Sequence, residues 1–371
     1  MDSFERSKVT LAGCTAGLWL TLFCLGNNAL AQDRSPAVQT RSQTDSTAID
    51  GNRITIDVTV SDPLGHPVEG LQAGNFTVLD NRDPQKLIGF RALDAESSSG
   101  DPAHIVVIVD MINTGFTQVA WERQQLETFL KQDGGKLSHP TSIAIFADKG
   151  VKAQRVSSLD GGVLLTAFDK LQTELRSIRD DAGFYGAAER LETSLNQLSQ
   201  LVSYEATLPG RKLFLVISPG WPLLPTAGDQ EDMKQRVWVF NSLVELTNNL
   251  RATRTTLYCL EPRELGATNP FLYQGYLKPV ALSKNAGYPN LALQVLAEHS
   301  GGQVLINGKD IAGDLNSAVR DASGGYELTF AAVPGDRPNE YHALQVQVDK
   351  TDVKVRTTAG YYARPQVEGG H

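Results

Sequence analysis

The sequence predicts an α/β fold, a doubly wound and mostly parallel sheet inserted into a discontinuous β-sandwich. Three observations predict it. The stretch His104 to Thr114 reads HIVVIVDMINT, and its apolar, β-branched run from Ile105 to Val109 suits the centre of a parallel sheet covered on both faces. Between residues 103 and 323 such runs alternate with helical patterns, and repeated strand–helix units make a parallel sheet with right-handed crossovers. On either side, residues 52–96 and 325–363 alternate apolar and polar with a period of two, as half-buried antiparallel strands do.

In the N-terminal flank, Ile54, Ile56, Val58 and Val60 alternate with Thr55, Asp57 and Thr59. Asp62-Pro63-Leu64-Gly65 is a turn by composition. Phe76 and Val78 before a turn at Asp80-Asn81 give a second strand, and Leu87 to Phe90 a third. Three strands hold too little core to stand alone and need partners from elsewhere. Ser97 to Pro102 is a linker. Strands are then expected at Ile105–Asp110, Ser142–Ala147, Lys152–Val156, Lys212–Ser218, Thr255–Leu260 and Gln303–Ile306. The second and third of these, joined by Asp148-Lys149-Gly150, form a hairpin that adds an antiparallel edge. Helices are expected at Thr117–Gln132, Gly161–Leu175, Phe184–Tyr204, Gln235–Leu250, Leu291–Ser300 and Asp310–Ala322. From Gly325 the period of two returns through Tyr326, Leu328 and Phe330, then Leu344, Val346 and Val348, then Val353, Val355 and Tyr361-Tyr362. The two flanks together are expected to make one discontinuous, Ig-like β-sandwich. Residues 364–371 are a polar tail.

Hydrophobic residues make up 41% and charged residues 20% of the 371 positions, a globular composition. The formal net charge of -8 argues against a nucleic-acid partner and against attraction to an anionic membrane surface. Residues 1–31 read as a signal peptide: Arg6 and Lys8, an apolar core through Leu18 to Leu25, and the cleavage pattern Ala29-Leu30-Ala31. Leu11-Ala12-Gly13-Cys14 resembles a lipoprotein box, but most of the apolar core follows it rather than precedes it. A flexible leader, residues 32–51, comes next. With Cys14 and Cys24 in the signal, only Cys259 is left, a buried thiol in a strand rather than a nucleophile. The chain is expected to be exported, to the periplasm or outside the cell, with no membrane span after cleavage.

With these residues laid out, the chain resembles a von Willebrand factor A (VWA) domain flanked by strand-rich segments, and in particular the secreted acidobacterial VWFA-related family. The carriers are Val58-Thr59-Val60-Ser61-Asp62 with Gly65, Pro67 and Val68; Gly70-Leu71 and Asn75-Phe76; Asp110 with Asn113-Thr114; and the closing Gly360-Tyr361-Tyr362. The resemblance implies a Rossmann-like VWA domain over residues 103–323. It also implies a metal site, since many A domains hold Mg²⁺ or Mn²⁺ through a D-x-S-x-S strand end, a Thr from a second loop and an Asp from a third. A hard cation takes such oxygen ligands in octahedral array. Here Asp110 matches the first Asp and Thr114 the second Ser, but Ile112 stands where the first Ser belongs. Ala182 or Gly183 falls at the Thr, and Pro219 at the Asp. The site is therefore expected to be degenerate. Any weak Mg²⁺ or Mn²⁺ binding would fall to Asp110, Thr114, Asp181 and Ser218, with Asp180 as a further substitute, and no other cofactor is expected.

No catalytic pattern is present: the six histidines are scattered, and there is no H-E-x-x-H, no G-x-S-x-G before a helix and no phosphate-cradling glycine loop. The loops after Lys212–Ser218 and Thr255–Leu260 are long and carry Trp221, Phe271, Tyr273 and Tyr276. Both leave the sheet at the end where Asp110 lies. Together with Asn113 these aromatics are expected either to bind a partner or to pack on each other as a lid. The expected function is an exported, non-catalytic protein-interaction module with a protein partner in the cell envelope or beyond it. The alternatives are a metal-dependent adhesion protein and an exported hydrolase with an unrecognised site.

Overall fold

The structure, a computed structural model, describes residues 53–93, 103–172, 183–223, 232–262, 272–306 and 308–363. The expected signal peptide, the leader, the linker Ser97 to Pro102 and the tail from Arg364 lie outside the described residues. The chain is mixed α/β, with a mostly parallel central sheet and two antiparallel sheets.

The N-terminal flank forms β1 (Arg53–Ser61), β2 (Phe76–Asp80), β3 (Asp83–Gln85) and β4 (Leu87–Ala92). The turn between β2 and β3 puts Asn81 and Arg82 at positive φ, where Asn is tolerated. The central part begins with β5 (His104–Asp110) and α1 (Phe116–Lys131), followed by β6 (Lys136–Ala147), β7 (Gly150–Ala153), β8 (Ser158–Asp160), α2 (Gly161–Gln172) and α3 (Gly183–Glu205). It continues through β9 (Lys212–Ile217), α4 (Met233–Ala252), β10 (Thr255–Leu260), α5 (Leu293–His299), β11 (Val304–Leu305) and α6 (Ile311–Ala322). The C-terminal flank is β12 (Tyr326–Ala331), β13 (Glu340–Val348), β14 (Lys354–Thr357) and β15 (Gly360–Ala363).

The central sheet runs β11-β10-β9-β5-β6-β7, parallel from β11 to β6, with β7 antiparallel at the edge. Both strands of the hairpin differ from expectation in their bounds, and β8 is an added strand. β6 begins at Lys136 rather than Ser142, because β8 pairs with its first half, Thr141 opposite Ser158. Val156, counted as strand from its side chain, is instead 73% exposed between β7 and β8. Alternate residues of each strand serve two cores. Val106, Ile108, Phe146, Phe214, Val216 and Cys259 face α3, α4 and α5. Ile105, Val107, Val109, Ile145, Leu215 and Leu260 face α1, α2 and α6. Burial on both faces is why these strands read as continuous apolar runs.

The flanks pair with each other. One sheet is β14-β1-β12-β4 and the other is β15-β13-β2-β3. Their inward residues, among them Ile56, Val58, Val78, Leu328, Phe330, Leu344 and Val346, form one shared core. Charged groups join this part to the central sheet. Arg254, just before β10, is bidentate on Asp57 of β1 and also reaches Glu327 of β12. Arg356 of β14 pairs with Asp321 of α6 at 2.6 Å. The buried Arg211 guanidinium donates to the carbonyls of Ala322 and Gly324, so a cation caps the end of α6.

Candidate functional site

The order of the central sheet reverses direction at β5. From there the chain crosses to β6 and β7 on one side, and later returns through β9 to β10 and β11 on the other. Crevices outside the carboxyl ends of strands at such a switch point are where α/β sheets take ligands. Asp110 ends β5 and Ser218 follows β9, and the two strands are in register up to Val109 and Ile217. The sheet itself therefore brings these two side chains together.

Asp110 is fully buried and accepts five hydrogen bonds. Its Oδ1 takes the backbone N–H groups of Ile112 (3.0 Å) and Asn113 (3.2 Å). Its Oδ2 takes Asn113 Nδ2 (2.9 Å), Ser218 Oγ (2.7 Å) and Trp221 Nε1 (3.2 Å). Burial pushes the Asp110 pKa up, and the bonds from Asn113, Ser218 and Ile112 pull it down. Five donors and no acceptor suit the ionised carboxylate.

The surrounding residues are each accounted for. Ser218 donates to Asp110 and accepts the Gly220 N–H at 3.2 Å, which fixes its hydroxyl. Asn113 is half-buried and spends its amide N–H groups on Asp110 and on Ser194 of α3. It is an internal brace rather than a surface contact. Ile112 is buried in the core against α3–α5. Thr114 is buried, and its hydroxyl makes no hydrogen bond among the described residues. Asp181 lies outside the described residues.

These observations test the metal that the family resemblance implies. Both oxygens of Asp110 are already saturated by protein donors, Ser218 points its proton at that carboxylate, and position 112 offers only carbon. Among the described residues of the site, the Thr114 hydroxyl and the Asn113 Oδ1 keep uncommitted oxygens. The residues present do not fit a divalent cation, which needs several free oxygen ligands.

Of the two expectations for the aromatic residues, an exposed partner surface or a packed lid, the described side chains are packed into the protein. Trp221 is 2% exposed and belongs to the core against α3–α5, so it offers no surface to a partner. Tyr273 is also buried, in a cluster with Ala292 and Val295 against which Leu223, Tyr276 and Leu277 pack. Its hydroxyl reaches Glu298 at 3.4 Å. The half-buried Tyr276 accepts from Asn290 through its carbonyl. These side chains pack on the protein itself, where Val304 of β11 and Ile306 just after it join the same apolar cluster. Phe271 lies outside the described residues.

Several chemically notable residues escaped the sequence reading. Glu122, on the inward face of α1, is fully buried and its carboxyl oxygens make no hydrogen bond of ordinary length among the described residues. Burial, and then the charge of Asp110, push its pKa to about 9, with Gln118 opposing least. At the opposite end of the sheet, His104 stands between Glu205 (Nδ1 to Oε2, 2.8 Å) and Ser142 (Nε2 to Oγ, 3.2 Å). The connectivity is that of a hydrolytic triad, but Ser142 lies inside β6 and is 3% exposed, leaving its hydroxyl no room for an acyl group. The relay ties β5, β6 and α3 together.

Exposed apolar side chains do occur at the carboxyl end, on other residues. Met233, Val237 and Trp238, in the first turns of α4, are 57%, 40% and 37% exposed. Leu272 and Leu282, in the segment after β10, are 53% and 37% exposed. Arg236 fastens that segment to α4 by donating to the Lys284 carbonyl at 2.9 Å. The sequence did hold a signal: α4 buries Val239, Leu243, Leu246 and Leu250 as one stripe, and Met233 and Val237 fall off it at i, i+4.

No family model matches the chain, and no curated protein does. Among solved structures it is similar to the human COPII-coat protein Sec24c, at 8% identity and a TM-score of 0.34, over 75% of this chain and 46% of that one. It is similar to the pilus adhesin SpaC from Lactobacillus rhamnosus GG in its open conformation, at 8% identity and a TM-score of 0.35, over 79% and 48%. It is also similar to the SpRpn10 VWA domain, at 10% identity and a TM-score of 0.26, over 58% and 95%. The chain spans about half the length of the first two. At these scores the likenesses carry no argument about activity or partner. No helix among the described residues is long and apolar enough to cross a membrane.

Proposed function

We propose that this chain is an exported, non-catalytic protein-interaction module: a VWA-type domain inserted in an Ig-like β-sandwich, of the secreted VWFA-related kind. Its binding surface is the rim at the carboxyl ends of the parallel strands, used without a metal, and its partner is a protein in the cell envelope or outside the cell. One observation carries the reading. Met233, Val237 and Trp238 stay exposed in the first turns of α4, and Leu272 and Leu282 are exposed in the segment after β10, which Arg236 of α4 fastens at Lys284. Exposed aromatic and methionine side chains at one rim are what interface centres are made of. The saturated Asp110 supports partner binding that does not pass through a cation.

The test is cross-linked capture from the native envelope with wild-type chain and with Trp238→Ala and Met233→Asp variants. The reading expects the captured species to be lost in both variants while their melting temperatures stay near wild type. Capture that survives both substitutions would overturn it.

A further inference from the structure

We infer that Trp221 is the resident ligand of the switch-point crevice, its indole N–H holding the position on Asp110 that a cation would otherwise take. The chain carries its own occupant for the site, built in from the β9–α4 loop.

Three features support this. First, the indole approaches the carboxylate as a donor, with Nε1 3.2 Å from Oδ2, and both residues are essentially inaccessible to solvent. Second, the loop is shaped to deliver it. Gly220 has φ +91°, a conformation that suits glycine, and a Cβ there would sit 1.7 Å from the Gln294 side-chain nitrogen. The backbone therefore passes tightly under α5 and turns Trp221 down into the crevice. Third, the side chain at position 112 complements it. Ile112, where an oxygen ligand would serve a metal, lies in the same apolar cluster as Trp221 and walls the crevice with carbon. One position has no oxygen ligand to offer, and another supplies a hydrogen-bond donor. A buried carboxylate then keeps its charge stabilised by protein dipoles alone.

The inference deepens the metal-free reading of the rim, but its test is independent of any partner. In the full chain, Trp221→Gly removes the indole and leaves a cavity beside Asp110. Apolar cavities of this kind take up small aromatic molecules. The melting temperature is measured with added indole and with added indene, which has the same outline and no N–H. The expected result is a clear upward shift with indole and a smaller one with indene. Equal shifts, or none with indole, would overturn the assignment. Where Trp221→Gly does not fold, Trp221→Phe keeps an aromatic ring without the donor. It is expected to melt about 3–10 °C below wild type, and an unchanged melting temperature would overturn the inference. Either failure leaves the capture test at Trp238 standing, so the two conclusions fall separately.

Discussion

Replacing Glu122 by glutamine should flatten the dependence of stability on pH. The side chain is fully buried, and its pKa is raised from 4.5 to about 9 by burial and by the charge of Asp110. A carboxyl whose folded pKa lies above its unfolded value holds its proton more tightly when folded. Its contribution is therefore fully present below pH 4.5 and is lost as pH climbs through 9. Each pH unit inside that window removes about 1.4 kcal/mol. From pH 5 to pH 8 the full shift amounts to about 4 kcal/mol, and relaxation around a buried charge brings the working figure to about 2–4 kcal/mol. Glutamine has nearly the same shape and does not titrate. Its buried amide adds an offset that is the same at every pH. Guanidinium unfolding followed by circular dichroism at pH 5, 6, 7 and 8 reads the difference directly. The gap between variant and wild type should move in the variant's favour by that amount as pH rises. Parallel profiles would refute the reasoning, since they would mean that Glu122 titrates alike in the folded and unfolded chain.

Three further outcomes are expected. Mg²⁺ or Mn²⁺ at millimolar concentration should leave the melting temperature of the wild type unchanged, because a ligand stabilises only as it exceeds its dissociation constant; an upward shift that Asp110→Ala abolishes would contradict the saturated carboxylate. Gly220→Ala should destabilise by about 1–3 kcal/mol through strain at positive φ and collision with Gln294, and Gln294→Ala in the same chain should recover part of it in thermal melts. Arg254→Ala, which strips Asp57 and Glu327 of their shared partner, should cost about 1.5–3 kcal/mol and speed proteolysis within β1.

The doubly wound sheet was legible because each strand is buried on both sides, so an unbroken run such as Val106 to Val109 advertises itself. The hairpin edge at β7 was equally plain from its turn. β8 was not, since three residues pairing with the far half of a long strand leave no periodic trace. The site was legible at Asp110 and Ser218, which strand ends bring together without any help from loops. It was left open at Trp221 and Tyr273, between a partner surface and a packed lid. Composition cannot say whether an aromatic in a long loop turns outward or folds under its own backbone, and a positive φ at Gly220 decides that for Trp221. Glu122 escaped because a carboxyl on a helix reads as a solvent-facing residue until the neighbouring elements close over it.

The pairing of the flanks also dictates when they can form. The hydroxyls of Thr55 and Thr329 lie 3.0 Å apart across 274 residues of chain. β1 has only β12 and β14 as neighbours, and β2 has β3 on one side but must wait for β13 on the other. While the chain is being made, β1 therefore stands with both edges bare until the final segment arrives, a state prone to sticking to other chains. The central sheet depends on neither flank for its strand pairs. Once assembled it holds the exit of β4 beside the entry of β12, with Leu93 N–H donating to the Gly325 carbonyl at 2.8 Å. The loop to be closed then shrinks from hundreds of residues to a few, and most of the entropy of closure has been met in advance. The topology thus favours assembly from the middle outward. A chain clipped before β13 would keep its central sheet while β2 lost one neighbour and β1 kept only β12.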